Sequence, residues 1–364
     1  MAESPLDVER APLDGSDMDP TPETSDIAQT ELTHSRMVHR RTGRTFYLAT
    51  RLLPNRIRDS THVLYAFFRM ADQVVDTPDP DSPAIQRERL NAMREKIHGT
   101  RETGDPILLG MRSVRTSDEI PAGEIDAFID AMINDIEFSG VSTYEDLEEY
   151  MRGSAVAVAY MMLSVMGSDD RERARPHARA LGEAFQLTNF IRDVREDIEE
   201  LDRIYLPTTT LDKFGVDTAD IETGRVTTGF KRAIHFEMRR AEDRYRRGVA
   251  GISFLPSDCQ LGVLMAACLY AEHHRAIRRL GFDVRSTTPT LGVREYIPVL
   301  LRTWIYWRLL GDPEAVFYRV SPINRTDRPE INASEMVQTT AGWRNPIRHI
   351  RQRLDTLHPY FGHE

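Results

Sequence analysis

The stretch YAFFRMADQVVD, Tyr65 to Asp76, places two carboxylates in an otherwise apolar run. At about 100° per residue on a helix, Arg69, Asp72 and Asp76 fall within about 40° of Tyr65. Phe67, Phe68, Met70, Ala71, Val74 and Val75 occupy the rest of the circumference, with Gln73 the exception. An ordinary surface helix has a broad polar half. A thin polar stripe on an apolar rod implies that the stripe faces something enclosed. For this helix alone, a solvated Arg69–Asp72 ion pair accounts for the pattern equally well.

A second seam changes that balance. In QLTNFIRDVRED, Gln186, Asn189, Asp193 and Asp197 again share one stripe, set among Phe185, Leu187, Phe190, Ile191 and Val194. Oxygen-only ligands point to magnesium, with manganese as the substitute. Magnesium keeps waters and takes one or two carboxylates together with substrate phosphate oxygens. Four Asp and one Asn would overload a lone ion. They suit several ions bridging to a polyanion, most simply a diphosphate. The nearby Arg192, Arg195, Glu196, Glu199 and Glu200 leave a solvated face open for this helix by itself, but two such seams in one chain favour a shared site.

Helices must position these seams. From about Ser35 onward the apolar period is helical, and Pro and Gly fall between segments. No βαβ rhythm, Gly-rich phosphate loop or internal repeat is visible. Helices are predicted after Pro54 with a fresh start at Asp59 to Thr61, then over 82–99, 121–140, 143–167 and 173–202. Others follow at about 229–250, 257–280 and 291–310. The fold class is all-α, one large helical domain over 35–312. Residues 1–34 read as a disordered acidic leader, and 313–364 as an appended extension whose WRNPIRHIRQRLDTLHPYF forms one amphipathic helix.

Composition narrows the partners. The chain has 364 residues, 40% hydrophobic and 29% charged, with a formal charge of -10 and a pI near 5.6. That balance argues against nucleic acid. Cys259 and Cys268 have no zinc or disulfide spacing, are read as core, and suit a reducing cytoplasm. The longest apolar run, LGVLMAACLYA, is too short to span a bilayer, so the protein reads as soluble or peripheral. EYIPVLLRTWIYWRLLG is read as a core helix at a domain edge, with interfacial membrane contact as its second reading. His273 and His274 are read as a solvated helical face beside Arg275, Arg278 and Arg279.

Taken together, DQVVD after YAFFRMA, and QLTNFIRDVREDI followed by RIYLP (Arg203 to Pro207), resemble the squalene and phytoene synthase family. RTFYLATRLLP and YMRGSAVAV resemble two further family segments, and FFRMADQVVD is most similar to the phytoene synthases. The resemblance spans about residues 40–285. It implies an isoprenoid-synthase fold with a central cavity between the two Asp-rich helices, and head-to-head condensation of two prenyl diphosphates. By motif position it implies Asp72, Asp76, Asn189, Asp193 and Asp197 as magnesium ligands. Thr42, Gly43, Arg44, Thr45, Tyr65, Arg69, Tyr150, Gln186, Arg192 and Arg203 are implied to bind the substrate. Tyr270 is implied as a substrate-contacting, catalytic tyrosine.

Departures from the family pattern concern shape more than chemistry. Gln73 stands where many relatives carry a second Asp, Gly43 replaces Ser, Val156 and Ala159 replace glycines, and Asp202 precedes Arg203 where Gly is frequent. The resemblance implies ionisation of an allylic diphosphate, a cyclopropyl diphosphate, and a second ionisation ended by proton loss. NADPH is not expected, because the resemblance is to phytoene synthases, which end in proton loss where squalene synthases accept hydride; no dinucleotide fingerprint is visible, but this fold would not use one. The nearest rival is a squalene or dehydrosqualene synthase using farnesyl diphosphate. A terpene cyclase fits the Asp-x-x-x-Asp seams poorly, and a catalytically dead helical assembly factor would not need all five ligands. The sequence sets no oligomeric state.

Overall fold

Caps and breakers in the sequence become helix ends. In the computed structural model, residues 27–42, 47, 50, 51, 53–76, 82–168 and 170–325 are described. They form α1 (Gln29–Thr42), α2 (Asn55–Asp76), α3 (Pro83–His98), α4 (Pro106–Ser117), α5 (Ala122–Asp135) and α6 (Tyr144–Met151). A π turn at Arg152–Val156 leads into α7 (Ala157–Met166), α8 (Arg171–Arg192), α9 (Val194–Leu201), α10 (Thr208–Lys213) and α11 (Thr218–Glu222). Then come α12 (Thr228–Val249), a 3₁₀ turn, α13 (Ser257–Arg279), α14 (Val293–Leu310) and α15 (Pro313–Val320). No strand occurs among the described residues, so the all-α expectation holds.

Local chemistry explains the boundaries. Asp105 accepts from the backbone N–H groups of Ile107 and Leu108, with Pro106 at the first helical position. Thr143 and Asp146 cap each other reciprocally at α6. The restart predicted at Asp59 to Thr61 does not occur, because the Thr61 hydroxyl bonds back to the Ile57 carbonyl at 2.7 Å and α2 runs on. Gly153 lets the π turn touch α5, since a Cβ there would lie 2.5 Å from the Ala127 carbonyl oxygen.

Two boundaries move. Residues 27–34 do not belong to a leader: Ile27 and Leu32 are buried, and α1 packs on α2 and α4. Its buried face also uses Ser35 and His39, which blurs the apolar period in the sequence. The packed body likewise continues past 312. Asp312 accepts from the Ala315 N–H, and Val316, Phe317, Val320 and Ile323 are buried against α13 and its neighbours. The rest of the leader, and WRNPIRHIRQRLDTLHPYF, lie outside the described residues.

Asp202 stands where the resemblance implies Gly, and its backbone supplies a physical reason for that expectation. It ends α9 with φ 53 and ψ 43, the left-handed region, while its side chain is exposed. Asp tolerates this conformation better than most residues. Asp202→Gly should therefore leave thermal stability nearly unchanged, whereas Asp202→Val should cost about 1–2 kcal/mol. A valine variant melting with the wild type would contradict this account.

Candidate active site

The three buried apolar clusters leave a cavity of about 650 Å³ between them. Phe68 and Phe128 wall it from one cluster, Tyr150 from the second, and Leu181, Phe185 and Tyr270 from the third. Its lining is apolar apart from a polar group that includes Tyr65, Arg69, Asp72, Asp135 and Gln186. The two acidic helices reach this space from different clusters. α7 packs on both α2 and α8 and so sets their separation.

On α2 the predicted stripe survives. Tyr65, Arg69 and Asp72 line the cavity, and Asp76 ends the helix at the exposed rim. Arg69 approaches Asp72 at 3.9 Å. The Asp72 side chain keeps 39% of its surface open, and it lines the cavity. Burial, and then the neighbouring Asp76 charge, push its carboxyl up to about 7. Burial raises Asp76 as well, against the pull of Arg203 and Arg69. Gln73 is exposed, so the residue that stands where relatives have another acid points away from the apolar side.

The second seam is not one continuous helix. α8 ends at Arg192, and Asp193 (φ -96, ψ 10) links it to α9. The Asp193 N–H still donates to Asn189 O at 2.8 Å, and the Asp197 N–H to Asp193 O at 2.8 Å, so the four-residue spacing crosses the break. Gln186 lines the cavity, whereas Asn189, Arg192, Asp193 and Asp197 lie outside its lining. Arg192 donates to both Asp193 oxygens at 2.6 and 2.5 Å. Burial works against the Arg192 charge, but this pair of hydrogen bonds to Asp193 holds its pKa above the ordinary value. Burial, then Asp193 and Glu196, push Asp197 up to about 7.

Arg203 joins the seams electrostatically, because its charge acts on Asp76, Asp135 and Asp197 alike. It donates to the Asp135 carbonyl at 2.6 Å and to the Tyr205 hydroxyl at 3.2 Å. Tyr150 donates to Asp135 Oδ2 at 3.1 Å. Tyr270 stacks on Phe185 at 4.6 Å between ring centroids, and burial raises its hydroxyl pKa. Thr42 lies 3.5 Å from the Tyr65 hydroxyl. Gly43, Arg44 and Thr45 lie outside the described residues. Phe67 is core, and Ala159 lines the cavity, whereas Val156 is buried outside its lining.

Asp135 was missed by the sequence reading. It sits on the same face of α5 as Phe128 and Met132, lines the cavity, and is pushed up to about 6 by burial. A carboxylate in register with apolar residues was the available signal. His39 was also missed. It lines the cavity, stacks on Tyr65 at 3.8 Å, and pairs Nδ1 to Nδ1 with His62 at 2.9 Å. Burial lowers His39 to about 3 and His62 to about 4, so both rings are neutral.

His273 and His274 are buried, which corrects the solvated reading. His274 Nε2 lies 3.0 Å from the Thr188 hydroxyl, which also meets the Tyr245 hydroxyl at 3.1 Å. This buried network fixes α8 one residue before Asn189. Thr188→Val would leave two buried polar groups unpaired and should cost about 2 kcal/mol, read by chemical denaturation. An unchanged midpoint would show that the network carries no stability. Cys259 and Cys268 are buried, as read.

Among the described residues, no three His, Cys, Asp or Glu side chains converge closely enough to hold an ion alone. The buried Asn189 Oδ1 has no hydrogen-bond partner, and the crowded carboxylates of Asp72 and Asp197 bind protons unusually well. Such a donor set fits hard cations that complete their shells with water and phosphate oxygens.

Known proteins match this architecture. Residues 39–295 match the family model described as squalene/phytoene synthase. The phytoene synthase of Rhodobacter capsulatus is 30% identical over 259 residues, covering 71% of this chain and 76% of the relative. That of Arthrospira platensis is 31% identical over 278 residues, covering 72% and 85%. A dehydrosqualene synthase solved with a ligand shares the fold at a TM-score of 0.70 and 24% identity, over 77% of this chain and 98% of its own. The squalene synthase of Alicyclobacillus acidocaldarius gives 0.63 and 26%, over 70% and 95%. With an apolar cavity that both acidic helices reach, and the family model matching most of the chain, the chain is a prenyltransferase that belongs to the squalene/phytoene synthase family.

Proposed function

We propose that the protein condenses two geranylgeranyl diphosphates head to head to phytoene, through the cyclopropyl prephytoene diphosphate, for carotenoid biosynthesis. The observation that carries this reading is the largely apolar cavity with Arg69, Asp72 and Gln186 among its polar lining groups. Relatives at about 30% identity that are named phytoene synthases support the longer substrate.

In this proposal Asp72, Asp76, Asn189, Asp193 and Asp197 hold magnesium, which supplies positive charge to the departing diphosphate. Arg69, Arg192 and Arg203 carry the chain's own positive charge, with Arg44 at the N-terminal segment. Their guanidinium groups suit bidentate phosphate contact, which strengthens as the carbon–oxygen bond breaks. Arg192 and Asp193 neutralise each other. Diphosphate and cation would each take one of the two partners. Tyr65 and Gln186 orient the head group from opposite helices, while Phe68, Phe128 and Leu181 keep water from the carbocation.

The second reading is a squalene or dehydrosqualene synthase acting on farnesyl diphosphate, and the solved neighbours with those names favour it. Incubation with each diphosphate and magnesium, with and without NADPH, separates the two by product mass. Phytoene from geranylgeranyl diphosphate without NADPH is expected. A C30 hydrocarbon from farnesyl diphosphate alone, or strict NADPH dependence, would overturn the assignment.

A further inference from the structure

α14 was read from the sequence as a core helix, and the structure corrects this: only Val299 and Thr303 of its 18 residues are buried. Nine large hydrophobic residues are exposed among the described residues, and seven of them are on α14. Val293, Ile297, Leu301, Trp304 and Leu309 are 67%, 58%, 54%, 50% and 72% accessible. At about 100° per residue these five and Ile305 occupy one half of the helix. Scattered exposed apolar residues are ordinary; a continuous stripe marks an interaction surface.

Arg294, Arg302 and Arg308 lie on or beside the same half, and none forms an ion pair among the described residues. The stripe is thus cationic on a chain of net charge -10. No helix among the described residues is long and apolar enough to cross a membrane. On its other side α14 packs against α13, whose Val263, Ala266 and Tyr270 line the cavity. One helix layer therefore separates the stripe from the cavity.

We propose that the exposed face of α14 seats the protein on an anionic lipid surface, with Ile297, Leu301, Trp304 and Leu309 at the acyl boundary and the three arginines among the head groups. Charge selects this occupant over two others. The stripe of a second copy would bring the same arginines face to face. The one amphipathic stretch in the chain's own segment after Arg325, WRNPIRHIRQRLDTLHPYF, carries Arg344, Arg348, Arg351 and Arg353 against the single acid Asp355 and has the same sign. Like charges oppose both contacts, and anionic head groups welcome all of them. Contact here would set the hydrocarbon-filled cavity beside the phase that supplies and receives it, a step that rests on the proposed function.

The test is co-sedimentation of the full chain with vesicles of phosphatidylcholine alone and of equal parts phosphatidylcholine and phosphatidylglycerol. Binding is expected only to the anionic vesicles. A triple variant, Ile297→Glu with Leu301→Glu and Leu309→Glu, should bind at least about tenfold more weakly. These side chains are exposed, so circular dichroism and turnover in detergent should match the wild type. Replacing Arg344, Arg348, Arg351 and Arg353 by Gln should leave the dependence on the stripe intact. Equal vesicle binding by the triple variant would overturn the proposal. So would a wild type that ignores vesicles, including one whose dimer the triple variant breaks, which would assign the face to a second copy. Failure of detergent-solubilised wild type to make a head-to-head product would instead count against the proposed reaction and leave the vesicle result standing.

Discussion

Asp72→Asn and Asp193→Asn should each lower magnesium-dependent turnover by about 10²- to 10⁴-fold without loss of helical structure. The reason lies in when the carboxylates would act. Negative charge is most concentrated on the diphosphate as it departs, so the cations that these residues are proposed to hold would matter more in the transition state than in the bound substrate. kcat should therefore fall by more than KM rises. Stability should move the other way for Asp72. Its carboxyl is pushed up to about 7 chiefly by burial, so the metal-free fold is working against its charge. Neutral Asn at that position should leave the melting temperature equal or higher at pH 8, a trade of stability for function. Asp193 differs because it is bonded to Arg192 through both oxygens, and Asn keeps only one of those acceptors. Asp193→Asn should thus melt slightly lower. Full magnesium-dependent turnover in either variant would remove the seams from the mechanism.

Both seams were legible because chemistry and periodicity disagreed there: carboxylates stood in register inside apolar helices. The same signal existed at Asp135, but one acid on one helix face carries less information than two a turn apart. His39 and His62 were illegible for a different reason. Their meeting depends on α1 packing against α2, and the polar residues of α1 conceal its buried face. His274 looked solvated because arginines surround it in sequence, yet Glu242 takes Arg278 and Arg246 as ion-pair partners and draws that charge into the interior. α14 misled in the opposite direction. Its apolar residues predicted burial, but hydrophobicity says only that a face seeks a partner, and among the described residues none covers it.

Magnesium should bind far more tightly at pH 8 than at pH 6, and thermal shift at fixed metal concentration reads the difference. Asp72 and Asp197 both have carboxyls pushed up to about 7 from an ordinary value of 3.8. Between those values the unfolded chain is ionised while the folded chain holds the proton. The metal-free fold therefore loses stability as pH rises through this window. A divalent cation needs the ionised carboxylates, so its binding releases the protons that burial retained. Between pH 6 and pH 8 each carboxylate gains about tenfold in ionised fraction, and two together give about 100-fold in apparent affinity. Asp72→Asn removes one of these protons. Its residual affinity should then change by only about tenfold across the same interval. Equal metal affinity at both pH values in the wild type would mean that Asp72 and Asp197 are not ligands. A 100-fold change that survived in the Asp72→Asn variant would assign the protons to other groups, among them Asp135, pushed up to about 6.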